Sequence, residues 1–246
     1  MVPMCGRYTL RRIDARRLGV AYPHPLFEEF TEHPRFNVAP SQDVAVVRVN
    51  ANGDRVLGLV RWGLIPSWTT GKPKAKPINA RAETAATSGM FKRAFESRRC
   101  LVPADGFYEW LTLDDPPRKQ PMFVRHPDDR PFCFAGLWER WRPSPDAEPV
   151  DTCAILTTAP NGLMRPIHDR MPAILAEADY ARWLDRTVRA AGVADLLRPY
   201  PDGELETVPV SRLVNSPKND VPACIAPLNL GIHILGALPC ARGPSP

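Results

Sequence analysis

What this 246-residue chain lacks narrows its chemistry before any motif is read. Its six cysteines, Cys5, Cys100, Cys133, Cys153, Cys224 and Cys240, include no Cys-x-x-Cys pair, which argues against a zinc ribbon. No positively charged leader followed by an apolar block opens it, so a secreted, disulfide-built protein is not expected. Its most apolar segment, residues 221–241, is interrupted by Pro222, Pro227, Asn229, His233 and Pro239. The clean stretches fall far below the roughly 20 residues of a membrane span. No Gly-rich phosphate loop follows a strand pattern, which disfavours nucleotide-driven chemistry. No repeat appears at solenoid or propeller periods. The expectation is a soluble cytoplasmic protein without membrane partner, metal or cofactor.

What is present is ordinary globular material, 44% hydrophobic and 24% charged. Proline is the exception: 29 residues are about twice the usual share of roughly 5%, implying extended segments and fixed turns. Lys and Arg outnumber Asp and Glu by 32 to 27, a mild excess that permits a polyanionic partner without demanding one. Four cysteines (100, 133, 153, 224) lie in apolar stretches and read as buried, reduced thiols.

Strand signals dominate. Val44–Asn50 and Arg55–Trp62 flank Ala51-Asn52-Gly53-Asp54 as a hairpin. Further strands are expected at Cys100–Leu111 (with a turn or bulge at Asp105-Gly106), Pro121–Arg125, Phe132–Trp141, Cys153–Thr158 and Met171–Leu175. Helices are few: Asp14–Val20, Gly89–Ser97 and Ala178–Leu197, the last broken near Asp185–Thr187. The pattern predicts an α+β fold, one domain from Cys5 to Pro227 with a mainly antiparallel, β-barrel-like core and a few flanking helices. Residues 228–246 form an unassigned tail.

Four places combine reactive side chains with unusual context. Cys5 follows Met4, and exposing its amine would put an α-amine titrating near 8 beside a thiol titrating near 8.5. Such an aminothiol condenses with an aldehyde and closes a five-membered thiazolidine, an intramolecular step that gives durability. The plainer reading is a small hydrophobe near a ragged terminus. In Pro77–Thr84, Asn79 offers donor and acceptor and Arg81 suits a phosphate; the alternative is an N-cap at Asn79 with Arg81 and Glu83 solvated. Glu109 interrupts an aromatic-rich strand, where an acid is held protonated for donation, or else faces solvent in the alternation. His168, with Asp169 and Arg170 beside it, is the one histidine of five outside loop-like Pro-rich or tail contexts. Trp68, followed by Lys72, Lys74 and Lys76, is a base-stacking candidate, whereas Trp138 and Trp183 read as core. Arg212, Asn215 and Lys218 offer a polar rim or a turn network.

Taken in order, CGRY (5–8), FNVAP (36–40), WGLIPSW (62–68), NARAET (79–84), RCLVPADGFYEW (99–110), HDRMP (168–172) and SPKND (216–220) resemble the SOS-response-associated peptidase (SRAP) family. The resemblance implies a protein that recognises abasic sites in single-stranded DNA and links itself to them through an N-terminal cysteine thiazolidine. It implies Cys5 as nucleophile, Asn79 as orienting group, Glu109 as acid/base and His168 as proton shuttle. It further implies Arg7, Arg81 and Arg170 on DNA phosphates, and Trp68 with Pro40 keeping the strand kinked at the lesion. Arg212 joins the DNA-binding set from its polar rim. The expected state is a monomer associated with the nucleoid. Because Cys5 is not the second residue, either translation starts at Met4 or the bond before Cys5 is cut autocatalytically. Two other classes stay open: a cysteine peptidase acting on other proteins through Cys5, His168 and Asn79, and a noncatalytic single-stranded DNA-binding module.

Overall fold

The Asn50 side chain starts the most legible element, accepting from the amides of Asn52 and Asp54, both at 2.9 Å, while Gly53 takes φ 90°. In the computed structural model, which describes residues 6–21, 25–113 and 118–228, this turn joins two long strands of a thirteen-strand order. The chain runs β1 (Tyr8–Leu10), α1 (Ala15–Leu18), α2 (Pro25–Glu32), β2 (Arg35–Val38), β3 (Asp43–Val49), β4 (Arg55–Trp62) and β5 (Asn79–Arg81). It continues with α3 (Ala82–Ala85), α4 (Lys92–Ser97), β6 (Arg99–Ala104), β7 (Gly106–Leu113), β8 (Arg118–Arg125) and β9 (Phe132–Trp141). Then follow β10 (Val150–Thr158), β11 (Met171–Pro172), β12 (Ile174–Leu175), α5 (Tyr180–Leu184) and β13 (Glu206–Pro209), with 3₁₀ turns at Arg212–Asn215 and Pro222–Cys224.

Two sheets result. One is ordered β13-β8-β7-β1-β2; the other runs β11-β10-β4-β3-β6-β9-β12. Because β10 also pairs with β9, strands β10, β4, β3, β6 and β9 close into a ring, which removes edges that would otherwise recruit another chain. The antiparallel expectation holds for most pairs; β10 departs from it, running parallel to β4 at Thr152–Cys153 and then to β5 at Ile155–Thr157. The interior holds Tyr8, Trp62, Phe95, Leu101, Phe107, Phe134 and Trp183, each at most 1% exposed. Tyr8 packs edge-on against Trp62 and Phe134, with centroids at 5.4 and 5.8 Å, and so ties the sheets together.

The expected strand from Cys100 to Leu111 is two strands in different sheets, broken at the Asp105-Gly106 position read as a turn or bulge. Asp105 makes the corner: its buried carboxylate accepts from Thr9 Oγ1 at 2.5 Å, Arg11 N at 2.6 Å and Arg11 Nε at 2.9 Å. Gly106 is obligatory there, since a Cβ would lie 2.3 Å from the Phe123 ring. The expected Met171–Leu175 strand is likewise split at Ala173. Strands β1, β2, β5 and β13, of three or four residues, were not anticipated, being too short for periodicity to register, and the eight-residue helix α2 was not anticipated either. The Ala178–Leu197 helix is reduced to a five-residue helix and 3₁₀ turns.

Cys100, Cys133, Cys153 and Cys224 are buried and free, as expected. Burial pushes the Cys133 thiol up to about 12 and raises those of Cys100 and Cys153, so these three stay protonated at neutral pH. Cys5 and Cys240 lie outside the described residues. Among the described residues no helix is long and apolar enough to cross a membrane.

Candidate functional site

Strand β10 organises the candidate residues. Its Ile155 and Thr157 pair with Asn79 and Arg81 of β5, while Thr157 and Thr158 pair with Pro172 and Met171 of β11. Asn79, Arg81, His168 and Arg170 therefore share one end of the sheet. Asn79 is a strand residue rather than an N-cap: α3 starts at Ala82, and its cap Arg81 makes no side-chain capping bond. Arg81 is exposed; Arg170 is not. The Arg170 guanidinium forms a bidentate pair with Glu83 and donates from Nη2 to the Thr157 carbonyl at 2.6 Å. That grip holds the Glu83 carboxyl below its ordinary range, against the opposing pull of burial. Glu83, which the N-cap alternative left solvated, is indeed half exposed but is also the partner of Arg170.

His168 sits on the turn before β11. Its Nδ1 lies 3.1 Å from the Arg170 amide nitrogen, a donor, and 2.8 Å from Asp169 Oδ1, an acceptor. Nδ1 without a proton accepts from that amide, and Nδ1 carrying one donates to Asp169, so the ring has a partner for either tautomer.

Glu109 enters from the other sheet. It stands on β7 and is only 3% exposed, so the reading that places it on the solvent face is wrong. The reason is that both faces of this part of β7 are covered, Phe107 on the main core and Tyr108 on a second cluster with Phe123, Val210, Val214 and Cys224. Strand β1 is the neighbour of β7, with Tyr8 opposite Phe107 and the Arg7 carbonyl accepting from Tyr108 N–H at 3.0 Å. Gly6, buried, begins the described chain at this point. The link to β5 is aromatic: Trp62, stacked edge-on with Tyr8, donates its indole N–H to the Ile78 carbonyl at 2.9 Å, one residue before Asn79. Pro40 lies in the turn whose Ser41 amide donates to the Trp62 carbonyl at 2.8 Å.

Three expected DNA-facing groups sit elsewhere. Arg7 points to the outer face of the β13-β8-β7-β1-β2 sheet, donating to Asn37 Oδ1 at 3.0 Å and to the carbonyls of Val214 (2.6 Å) and Asn215 (3.3 Å). Burial lowers its pKa. Arg212 is exposed on the same 3₁₀ turn that Arg7 holds. Trp68 is 53% exposed, on a loop fixed by Ser67 N–H donating to Glu139 and by the Trp141 indole donating to the Thr69 carbonyl. Glu139 lies opposite Thr152, so this loop lies toward the start of β10, away from Arg81 and Arg170.

The sequence reading missed Asn37, whose side chain donates to the carbonyls of Val214, Ser216 and Asn219. It also missed Asp220, which accepts from the amides of Phe36 and Asn37. The polar residue inside FNVAP and the acid closing SPKND were the available signals.

The match with known proteins covers nearly all of the described chain. Residues 4–217 match the family described as SOS response associated peptidase (SRAP). This chain belongs to the SRAP family. Over 224 residues it is 42% identical to the abasic site processing protein YoqW of Bacillus subtilis (strain 168), covering 90% of this chain and 99% of that protein. It is 33% identical over 271 residues to the abasic site processing protein HMCES of Gallus gallus, covering 93% of this chain and 79% of that one. A crystal structure of a Bacteroides thetaiotaomicron protein shares the fold with TM-score 0.78 at 24% identity, covering 91% of this chain and all of that one. The SRAP fold thus extends over both sheets and includes the ring built around β10.

Proposed function

We propose that this SRAP protein senses abasic sites in single-stranded DNA and forms a covalent crosslink to them through Cys5, freed of residues 1–4. The observation that carries this reading is the buried acid Glu109 on the strand beside β1; the first described residue of the chain, buried Gly6, lies two residues before β1 and directly follows Cys5 in sequence. A carboxyl group held away from water among aromatic side chains is suited to proton donation, and the reaction needs a proton donor.

An abasic sugar equilibrates between its closed form and a ring-opened aldehyde. Glu109 protonates the departing ring oxygen as C1′ opens. The neutral Cys5 amine adds to C1′, and loss of water gives an imine. The thiolate then adds to the imine carbon, its sulfur forming the new C–S bond as the nitrogen takes a proton, and the thiazolidine closes. Asn79 orients the amine, and His168 carries protons between imine nitrogen and solvent. If the imine instead loses a proton from C2′, the 3′ phosphate leaves by β-elimination, which is lyase activity; ring closure diverts the imine from that fate. The same acid and base serve autocatalytic cleavage before Cys5. Arg81 and Arg170 hold phosphates at this end of β10, Arg7 and Arg212 sit at the outer face, and Trp68 with Pro40 shapes the strand. The functional unit runs from residue 5 to about 227.

The test is incubation with a single-stranded oligonucleotide carrying one abasic site, followed by a denaturing gel and intact-mass measurement. A shifted band absent in Cys5→Ala is expected, with a mass corresponding to a chain that begins at Cys5. Active material that retains residues 1–4 would overturn the thiazolidine.

A further inference from the structure

Beyond this site, a cavity of about 440 Å³ opens at the opposite end of β10 and is lined by Arg48, Arg98, Arg99, Arg140, Arg186 and Trp138 among others. No Asp or Glu is among its described lining residues. Two carboxylates compensate it in part from outside: Asp151 pairs with Arg48 and Arg140, and Glu139 with Arg98. Arg99 is buried with its guanidinium donating to five main-chain carbonyls, those of Phe95, Glu96, Trp183, Asp185 and Val188, so dipoles and not a carboxylate hold its charge. Arg98 keeps a buried Nε without a hydrogen-bond partner. Arg186 is exposed and has no ion-pair or hydrogen-bond partner among the described residues.

A concave site with five guanidinium groups and unspent donors fits phosphate oxygens. It does not fit a base, because the Trp138 ring is already covered by Arg48, whose guanidinium carbon lies 4.5 Å from the ring centroid. The cavity is also joined to a proposed strand contact. Glu139, which holds Arg98 at 2.7 Å, also accepts from the Ser67 amide beside exposed Trp68. From Asp151 to Thr157 β10 advances about 20 Å. A B-form strand with one phosphate per roughly 3.4 Å passes about six phosphates over that length, and an extended strand fewer.

We infer that the arginine cavity is a second anchorage for backbone phosphates of the DNA strand, several nucleotides from the lesion and independent of base identity. This inference rests on the single-stranded DNA reading above, and the experiment separates the two.

Binding of abasic oligonucleotides with three-nucleotide flanks and with ten-nucleotide flanks is measured against salt for wild type, Arg186→Glu and Arg140→Gln. Both replacements are on exposed side chains, and Asp151 keeps Arg48 in the second. On long flanks the slope of log affinity against log salt should fall by about 0.7 for each phosphate that the variant no longer neutralises. On short flanks the variants should match wild type, and crosslinking to the short substrate should be undiminished. Equal slopes for variants and wild type on long flanks, with crosslinking intact, overturn the second anchorage and leave the proposed function standing. Loss of crosslinking by wild type itself would strike the function instead. If inorganic pyrophosphate binds wild type but not Arg186→Glu while flank length has no effect, the cavity takes a free anion and the strand assignment is overturned.

Discussion

Arg170 and Glu83 face each other beside the end of β10 as a two-pronged pair, Nη1 to Oε1 at 2.6 Å and Nη2 to Oε2 at 2.7 Å. The arginine is nearly buried and the glutamate side chain is 52% exposed, so the carboxylate forms the outward half of the pair. A DNA phosphate that binds Arg170 competes with that carboxylate. Glu83→Gln should therefore tighten binding of undamaged single-stranded DNA by roughly two- to fivefold, the equivalent of a partly exposed ion pair. Fluorescence anisotropy at fixed salt measures this. Unchanged affinity in Glu83→Gln means that Arg170 serves the fold alone.

Glu109→Gln keeps the shape of a buried side chain while removing its ability to exchange a proton. If Glu109 opens the sugar ring, the rate of covalent product should drop by roughly 10²- to 10⁴-fold, the usual range for positioned acid–base groups. Thermal midpoints should stay close to wild type, because volume is conserved. A crosslinking time course on denaturing gels reads the rate. Retention of wild-type kinetics removes Glu109 from the chemistry.

How much of this was legible in the sequence follows from the range of each signal. The β3–β4 hairpin was plain because Asn50, Gly53 and the flanking β-branched residues act within a few positions of one another. Strand β9 was recovered over its full length, Phe132–Trp141, for the same reason. Strands of two to four residues such as β1, β2 and β5 carry no period, and they exist only because β7, β1 and β10 respectively supply their partners. Glu109 was legible as an oddity in an aromatic run, but its burial depends on two clusters assembled from distant segments. Arg7, Arg81 and Arg170 look alike in sequence. The fold leaves Arg81 exposed, pairs Arg170 with Glu83 and gives Arg7 to the carbonyls of a turn some 200 residues away. Side-chain commitment of that kind is set by tertiary contacts.

Asn37 is where two distant segments are fastened. Its amide serves three carbonyls of residues 214–219, at 3.2, 3.0 and 2.7 Å, and its Oδ1 accepts from Arg7. Asn37→Ala strands several buried polar groups at once, and a loss of roughly 3 kcal/mol is expected. For a chain of this size that is a fall of about 6–12 °C in Tm, readable by calorimetry. Because Arg7 lies one residue beyond Gly6, crosslinking by this variant should also weaken below its melting range. A Tm within two degrees of wild type, to use roughly the shift of a sub-kcal change, would show that water replaces the amide.

His126 offers a pH test of the core. It lies on the loop expected for it, directly after β8, but is only 1% exposed, with Nδ1 2.7 Å from the Glu204 carbonyl and its ring edge-on to Phe132 and Tyr200. The neutral ring donates Nδ1–H to that carbonyl. Burial pulls its pKa below the ordinary histidine value, helped by Arg130, while the Glu204 carbonyl, Asp128 and the Glu204 side chain act in the opposite direction. With the folded pKa below the unfolded value of about 6.5, the unfolded chain takes up the proton first. Stability from this residue is therefore complete above about pH 6.5 and declines as pH falls from there toward the folded pKa. Urea midpoints between pH 7.5 and 5 should fall for wild type. His126→Gln keeps a donor for the Glu204 carbonyl and loses the titration, so its unfolding free energy should start lower by roughly 1–2 kcal/mol of lost packing, and its midpoint should vary less over the same interval. Parallel pH dependences in the two proteins would assign the acid sensitivity to other groups.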